Sequence, residues 1–309
     1  MSRKPADDSN VDYYRRRFLK GLSGAVAATA TPTAARAAWG GNTLSDVFAD
    51  FFQDHYQRMT PEEIRETLER IERKAKRRYG TAIQCKNTPP QEGVVYGYAL
   101  NISKCRGYRD CVSACMEENN LSRDMRYIQV LEMDHGSLNF EKADRYYEHA
   151  TLPAEGKYYL PVQCMQCDDP PCVKACPVEA TWTEPDGIVV VDYDWCIGCR
   201  YCMIACPYEA RHFNWGKPDL PAEALNTDTH YLGNRPRPTG VVEKCHFCIQ
   251  RTRENRQPAC QEACPTGARI FGNILDPDSE IRYVLEHKAV FRLKEDLGTE
   301  PKFWYYRDT

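Results

Sequence analysis

Apolar residues recur at helical spacing twice near the start of the chain. Val47, Phe48, Phe51, Phe52 and Tyr56 follow Ser45; Ile64, Leu68, Ile71 and Ala75 follow Thr60-Pro61-Glu62-Glu63. The second start carries a cap, a proline at the first helical position and a capping-box glutamate. A helical hairpin is predicted over residues 41–80, with an apolar face that covers the core or docks a partner. Beyond it the period shortens. Tyr96–Ile102, Arg126–Leu131, Lys157–Val162 and Gly187–Asp192 read as strands; if 81–84 and 95–101 pair as a simple hairpin, Cys85 lies near its far end, remote from Cys105, though the intervening loop is long enough for other paths. Residues 132–155 are polar and read as a surface insertion, and 208–244 are rich in Pro, Gly and Asn. No run of eighteen apolar residues occurs, so no membrane span is predicted.

The strands empty into cysteine runs. Of the sixteen cysteines, Cys164, Cys167, Cys172 and Cys176 form C-x2-C-x4-C-x3-C-P. Cys196, Cys199, Cys202 and Cys206 form C-x2-C-x2-C-x3-C-P. Cys245, Cys248, Cys260 and Cys264 form C-x2-C-x11-C-x3-C-P. An incomplete copy comes first: Cys105, Cys111 and Cys115, with Tyr108 where the second cysteine belongs. Thiolates so spaced hold iron–sulfur clusters. Zinc would need two spaced pairs, and would leave the third cysteine and the repeated C-x3-C-P unexplained. No C-x-x-C-H occurs; Cys245 is followed by His246, read as a neighbour of the ligands or a surface residue.

In two-cluster ferredoxins the last cysteine of each motif serves the other cluster. Applied here, Cys164, Cys167 and Cys172 share a cluster with Cys206, and Cys196, Cys199 and Cys202 share one with Cys176. Cys245, Cys248 and Cys260 share one with Cys115. Cys105, Cys111 and Cys264 are left one ligand short. Three outcomes stay open for that site: a [3Fe–4S] cluster on three cysteines, a [4Fe–4S] cluster completed by a remote residue, or no cluster. Counting points to Cys85, the only cysteine outside the motifs, which otherwise reads as a buried apolar-like residue. The expected fold is α+β: an inner ferredoxin-like unit (157–213) nested within an outer one (95–131 and 241–273), with the helical hairpin before them and an extension, 274–309, after. Trp195 and Tyr201 are expected to insulate clusters.

Charge adds an address. The net charge is −3, but residues 1–37 hold seven Lys/Arg against three Asp/Glu; without them 34 Lys/Arg face 41 Asp/Glu, a net −7. An acidic body gives no support for nucleic-acid binding, and the basic run from Lys74 to Arg78 reads as a helix end complementing the dipole. Arg15-Arg16-Arg17-Phe18-Leu19-Lys20 resembles the twin-arginine export motif. An alanine-rich stretch and Ala35-Arg36-Ala37 follow as a cleavage site. A folded, cluster-loaded protein outside the cytoplasmic membrane is expected.

From Tyr96 to Thr309 the chain resembles the four-cluster electron-transfer subunits of the dimethyl-sulfoxide-reductase and polysulfide-reductase type, and within them the exported DsrO-like subunits of sulfur-metabolising membrane complexes. Pro161–Pro177, Cys196–Phe213, Val242–Asn273 and the final G-T-E-P-K-F-W-Y-Y carry the likeness. The resemblance implies ligand roles for the fifteen motif cysteines and no catalytic residue. It also implies electron relay between a catalytic or cytochrome subunit and a quinone-reactive, NrfD-type membrane subunit. Competing expectations are a subunit of a soluble molybdenum reductase or a hydrogenase, and a structural iron–sulfur scaffold. Tyr108 departs from the family's four-cysteine pattern and leaves the type of the outermost cluster open.

Overall fold

The computed structural model describes residues 59–122, 125–216 and 220–308. The export motif and the first of the two expected N-terminal helices lie outside them. The second helix, α1 (Pro61–Tyr79), forms as expected. Thr60 Oγ1 accepts from the Glu63 N–H at 3.3 Å, Glu63 Oε2 accepts from the Thr60 N–H at 2.7 Å, and Gly80 closes the helix in the left-handed region at φ 73°. Its apolar stripe buries Ile71 and Ala75, while Lys76, Arg77 and Arg78 sit at the negative end of the dipole.

The remaining elements are short. In chain order they are β1 (Gln84–Lys86), β2 (Tyr96–Asn101), α2 (Asp110–Glu118), β3 (Gln129–Asp134), β4 (Lys157–Val162), α3 (Pro171–Lys174), β5 (Thr181–Thr183) and β6 (Val189–Val191). Then come α4 (Tyr201–Ala205), β7 (His212–Phe213), β8 (Asp228–His230), β9 (Val242–Glu243), α5 (Ile249–Thr252), α6 (Ala259–Glu262), β10 (Arg269–Asn273), α7 (Glu280–His287) and β11 (Phe303–Tyr306). This is a mixed α/β chain. The strand expected over Lys157–Val162 forms with those bounds, and pairs antiparallel with β3. The strand expected over Arg126–Leu131 starts and ends three residues later, so the polar segment begins after Asp134.

One expectation is corrected. Residues 81–84 and 95–101 do not form a hairpin: β1 pairs parallel with β8, with Cys85 opposite Thr229. β2 instead lies between β10, antiparallel, and β11, parallel. Long-range partners thus replace the local turn, because β2 is buried along its whole length and needs a neighbour on both edges. β11 supplies one of them, so the C-terminal extension belongs to the core. Tyr98 stacks on Phe303 at 4.9 Å and lies 5.7 Å from Phe271, and Tyr305 Oη donates to the Pro161 carbonyl at 2.9 Å.

These pairings set which cysteine helices meet. Helix α2 packs on α6, bringing the first motif against the last, and α3 packs on α4, bringing the two middle motifs together.

The β1–β8 pair carries a pH prediction. His230 is fully buried; its Nδ1 accepts from the Leu232 N–H at 3.1 Å and its Nε2 lies 3.1 Å from the Thr88 carbonyl, an arrangement for the neutral ring. Burial pushes its pKa from 6.5 to about 4. The unfolded chain then takes up a proton before the folded one as pH falls. Stability from this group is complete above pH 6.5 and is lost towards pH 4, by about 3 kcal/mol. Denaturant melts across that window will show the slope, and His230→Gln should flatten it.

Candidate metal centres

Each cysteine loop reverses through the left-handed region immediately before its second ligand position. The residues are Gly107 (φ 78°), Gln166 (47°), Gly198 (71°) and Phe247 (53°). The first and third motifs share a second such residue, Arg109 (64°) and Arg200 (67°), each at the start of the following helix. The reversal lets side chains at successive ligand positions turn towards one space. The loop around Tyr108 therefore has the backbone of an intact ligand loop. Gly107 is demanded twice over: its φ is positive, and a Cβ there would stand 2.5 Å from the ring of buried Tyr159. Gly107→Ala should cost about 2 kcal/mol or more, read as a lowered thermal midpoint with loss of iron from this site.

The three Cys-Pro steps are also copies of one another. Glu179, Glu209 and Gly267, all left-handed, donate N–H groups to the carbonyls of Cys176, Cys206 and Cys264, each at 3.3 Å. Their thiols also accept backbone N–H groups two and four residues on. Cys115 has no following proline. Helix α2 runs on to Glu118, and the Asn119 amide reaches the sulfurs of Cys115 (3.5 Å) and Cys248 (3.6 Å).

The resulting groups cross the motif boundaries. Cys164, Cys167, Cys172 and Cys206 line one cavity with Val189, Tyr208 and Arg211. Cys105, Cys111 and Cys264 line a second with Tyr108 and Arg269. Cys115 has Cys248, Cys245 and Cys260 as its strongest electrostatic neighbours, ahead of Cys111, and Cys176 has Cys196. Cys202 interacts with both Cys196 and Cys176; Cys199 lies on the same loop. The structure does not bring Cys85 to the cavity of Cys105, Cys111 and Cys264. It is buried in β1, where its charged neighbours are Arg235, Glu72 and Asp194 and its hydrogen-bond partner is Thr229. The parallel β1–β8 pairing holds it there.

The groups fit iron–sulfur clusters. Among the described residues no three of His, Cys, Asp or Glu converge closely enough for a single ion. In two of the groups the cysteines line a cavity instead, as ligands of a polynuclear cluster do. Burial and neighbouring thiols push Cys167 and Cys245 up to about 12, and burial pushes Cys105 and Cys202 up to about 11. Without positive iron, four thiolates would not share such a cavity. Cys264 differs: burial raises it, but the Thr266 hydroxyl and the N–H groups of Ala268 and Thr266 outweigh that and hold it below the usual thiol range. Buried donors also face the sulfurs. Arg211 Nη2 donates to Cys172 Sγ at 3.0 Å, while its Nε and Nη1, and Nη2 of Arg269, have no protein partner.

Sequence reading missed Arg211, Lys244 and Arg269. A signal existed: C-P-x-x-A-R occurs twice, ending at Arg211 and Arg269, and Thr181 holds the same step after Cys176. Tyr201 does not insulate a cluster, since it is 59% exposed on the outer face of α4. Trp195 donates from Nε1 to the Val178 carbonyl at 2.5 Å. His246 is buried, and its Nδ1 accepts from the Ile249 N–H at 3.2 Å.

A family model described as a 4Fe-4S dicluster domain matches residues 156–236 and 223–274. A selenate reductase subunit of Mesobacillus selenatarsenatis is 37% identical over 227 residues, covering 70% of this protein and 73% of that one. The menaquinone reductase iron–sulfur cluster-binding subunit of Nitratidesulfovibrio vulgaris is 38% identical over 240 residues, covering 69% and 88%. A polysulfide reductase chain of Wolinella succinogenes is 34% identical over 215 residues, covering 68% and 92%. With cysteine groups built for clusters and relatives matched over most of their length, the protein belongs to the family of iron–sulfur subunits of the dimethyl sulfoxide, polysulfide, tetrathionate and menaquinone reductases.

Proposed function

We propose that this chain is the electron-transfer subunit of a membrane-associated reductase complex, relaying single electrons through four iron–sulfur clusters. The carrying observation is that the four cysteine groups form one series. Arg211 touches Cys202 of the third motif's group and Cys172 of the second's. Cys164 of that group neighbours Cys245 of the next. Arg269 touches Cys260 of this group and Cys111 of the last. When bound, the clusters supply one-electron redox chemistry; the chain supplies spacing, dryness and charge.

We assign Cys164, Cys167, Cys172 and Cys206 to one [4Fe–4S] cluster, Cys196, Cys199, Cys202 and Cys176 to a second, and Cys245, Cys248, Cys260 and Cys115 to a third. The packing of α2 on α6 and α3 on α4 supports two nested ferredoxin-like units. For the fourth site we favour a [3Fe–4S] cluster on Cys105, Cys111 and Cys264, because Cys85 belongs to the β1–β8 pair and Tyr108 holds the open position.

Apart from partly exposed Cys206, the cysteines in the middle of the series are buried, whereas Cys199 and Cys176 at one end and Cys105, Cys111 and Cys264 at the other are partly exposed. Ile197, Tyr201, Ile204 and Trp215 are exposed beside the first end, and Tyr108 beside the second. Two ends of this kind suit two partners. Relatives named for menaquinone and polysulfide reduction support a quinone-reactive, NrfD-like membrane subunit on one side and a catalytic or cytochrome subunit on the other. No helix among the described residues is long and apolar enough to cross a membrane. The twin-arginine-like start supports a periplasmic or extracytoplasmic site of action. Purification with native partners tests this reading: a quinone-reactive membrane subunit should co-purify and reduce the clusters. Clusters that neither quinol nor the other partner can reduce or oxidise would contradict it.

A further inference from the structure

Seven cationic side chains among the described residues are almost completely buried, and they divide into two classes. Lys302 pairs with Asp168. Arg253 pairs with Asp186 at 2.8 Å and Glu184 at 3.0 Å, Arg237 with Glu243 at 2.7 Å, and Arg235 with Asp194 at 3.4 Å. Arg211, Lys244 and Arg269 are buried as deeply, yet among the described residues none has a carboxylate partner. Arg211 donates to Cys172 Sγ (3.0 Å) and Thr181 Oγ1 (2.9 Å). Arg269 donates to Gln163 Oε1 (2.8 Å) and lies 3.8 Å from Cys260 Sγ. Lys244 donates to the carbonyls of Cys245, at 2.8 Å, and Val189. A buried cation left without counter-charge is strongly destabilising. Counter-charge for these three is available from the thiolate-held groups beside them; at Lys244, where burial lowers the pKa, Cys164 and Cys245 oppose that lowering.

Their positions are not equivalent to one another by accident of burial. Arg211 lines the cavity of Cys164, Cys167, Cys172 and Cys206, and also reaches Cys202 of the neighbouring group. Arg269 lines the cavity of Cys105, Cys111 and Cys264 and reaches Cys260. Both stand five residues after a Cys-Pro cysteine, and both link the cysteines at the third position of two motifs. Lys244 binds the carbonyl of Val189, which lines the first cavity, and that of Cys245 in the next group; Cys164 and Cys245 are the thiols nearest it in electrostatic terms. One unpaired cation therefore occupies each of the three gaps in the series.

We propose that Arg211, Lys244 and Arg269 are positioning residues for electron transfer, each holding the charge of two adjacent clusters and raising the reduction potential of both. An electron arriving at either side of a gap adds negative charge in a dry interior, where repulsion from the neighbour is poorly screened. A cation shared across the gap offsets that charge on whichever side it lies, so neither neighbour becomes a trap. The inference rests on the reading that these thiols hold clusters.

The test uses the full-length chain in its native complex, with Arg211→Gln, Lys244→Met and Arg269→Gln, and the charge-keeping Arg211→Lys and Arg269→Lys. Iron content reports the clusters themselves, and EPR-monitored potentiometric titration reports the couples. Each neutral variant should lower two couples by a tenfold or larger change in reduction equilibrium, about 59 mV for one electron. The pairs should overlap in order: Arg211 and Lys244 share one couple, Lys244 and Arg269 share another, and Arg211 and Arg269 share none. The lysine variants should restore most of the shift. Lys244→Met removes no hydrogen bond to sulfur, so it reads charge even if an arginine variant loses iron. Unshifted couples at full iron content, a shift confined to one couple, an equal shift of all, or lysine variants no better than glutamine would each overturn the proposal. Missing iron in the unmodified chain would instead refute the cluster reading.

Discussion

Cys206→Ala is expected to remove the cluster held by Cys164, Cys167 and Cys172 and to spare the one in its own motif. The reason is the cavity these four cysteines line together. Helix α4 carries Cys206 one turn beyond Cys202, and the Cys-Pro step turns it towards α3. Without it, three thiols remain in a pocket where burial pushes Cys167 up to about 12, so a full thiolate set is no longer held near neutrality. Iron and sulfide should fall by a single cluster. Double variants distinguish crossing from simple loop damage. Adding Cys164→Ala to Cys206→Ala should cost no second cluster, because both act on one site; adding Cys196→Ala should cost another. Cys176→Ala should show the mirrored pattern, pairing with Cys196 and not with Cys164.

Tyr108→Cys should convert the outer site. Its loop already shares left-handed residues with the intact third motif, Gly107 with Gly198 and Arg109 with Arg200. Tyr108 is 45% exposed and lines the same cavity as Cys105, Cys111 and Cys264. Replacement therefore removes little packing and places a thiol at the open corner. The chain should gain iron at this site, lose its oxidised-state EPR signal, and show that couple at a lower potential as a further thiolate adds negative charge. Cys85→Ala should leave iron content and every EPR signal unchanged, at the modest cost in stability of about 1 kcal/mol expected for trimming a small buried side chain.

The cysteine groups proposed as ligands could be drawn from local spacing: three cysteines around a reversing loop, then one beyond a helical turn. The capping box at Thr60 and the strand Lys157–Val162 were legible for the same reason. What escaped depends on contacts distant in sequence. The pairing of β1 with β8 joins Cys85 to Thr229 and takes Cys85 away from the site that counting assigned to it. The parallel addition of β11 to β2 draws the C-terminal segment into the core. Tyr201 read as cluster insulation because it adjoins Cys202, yet a helix presents neighbouring residues to different faces, and its own face is open. Arg211, Lys244 and Arg269 are set apart from Arg235, Arg237 and Arg253 by burial without carboxylates, which spacing along the chain does not show.

The most direct test of a four-centre relay ending in a three-cysteine site is low-temperature EPR of the anaerobically purified complex, with iron counting, poised across a range of potentials. Three couples should appear on reduction as [4Fe–4S] signals, and one [3Fe–4S] signal should be present in the oxidised state and vanish as the potential is lowered. A full set of [4Fe–4S] signals with no oxidised-state signal, or clusters that do not titrate at all, would contradict it.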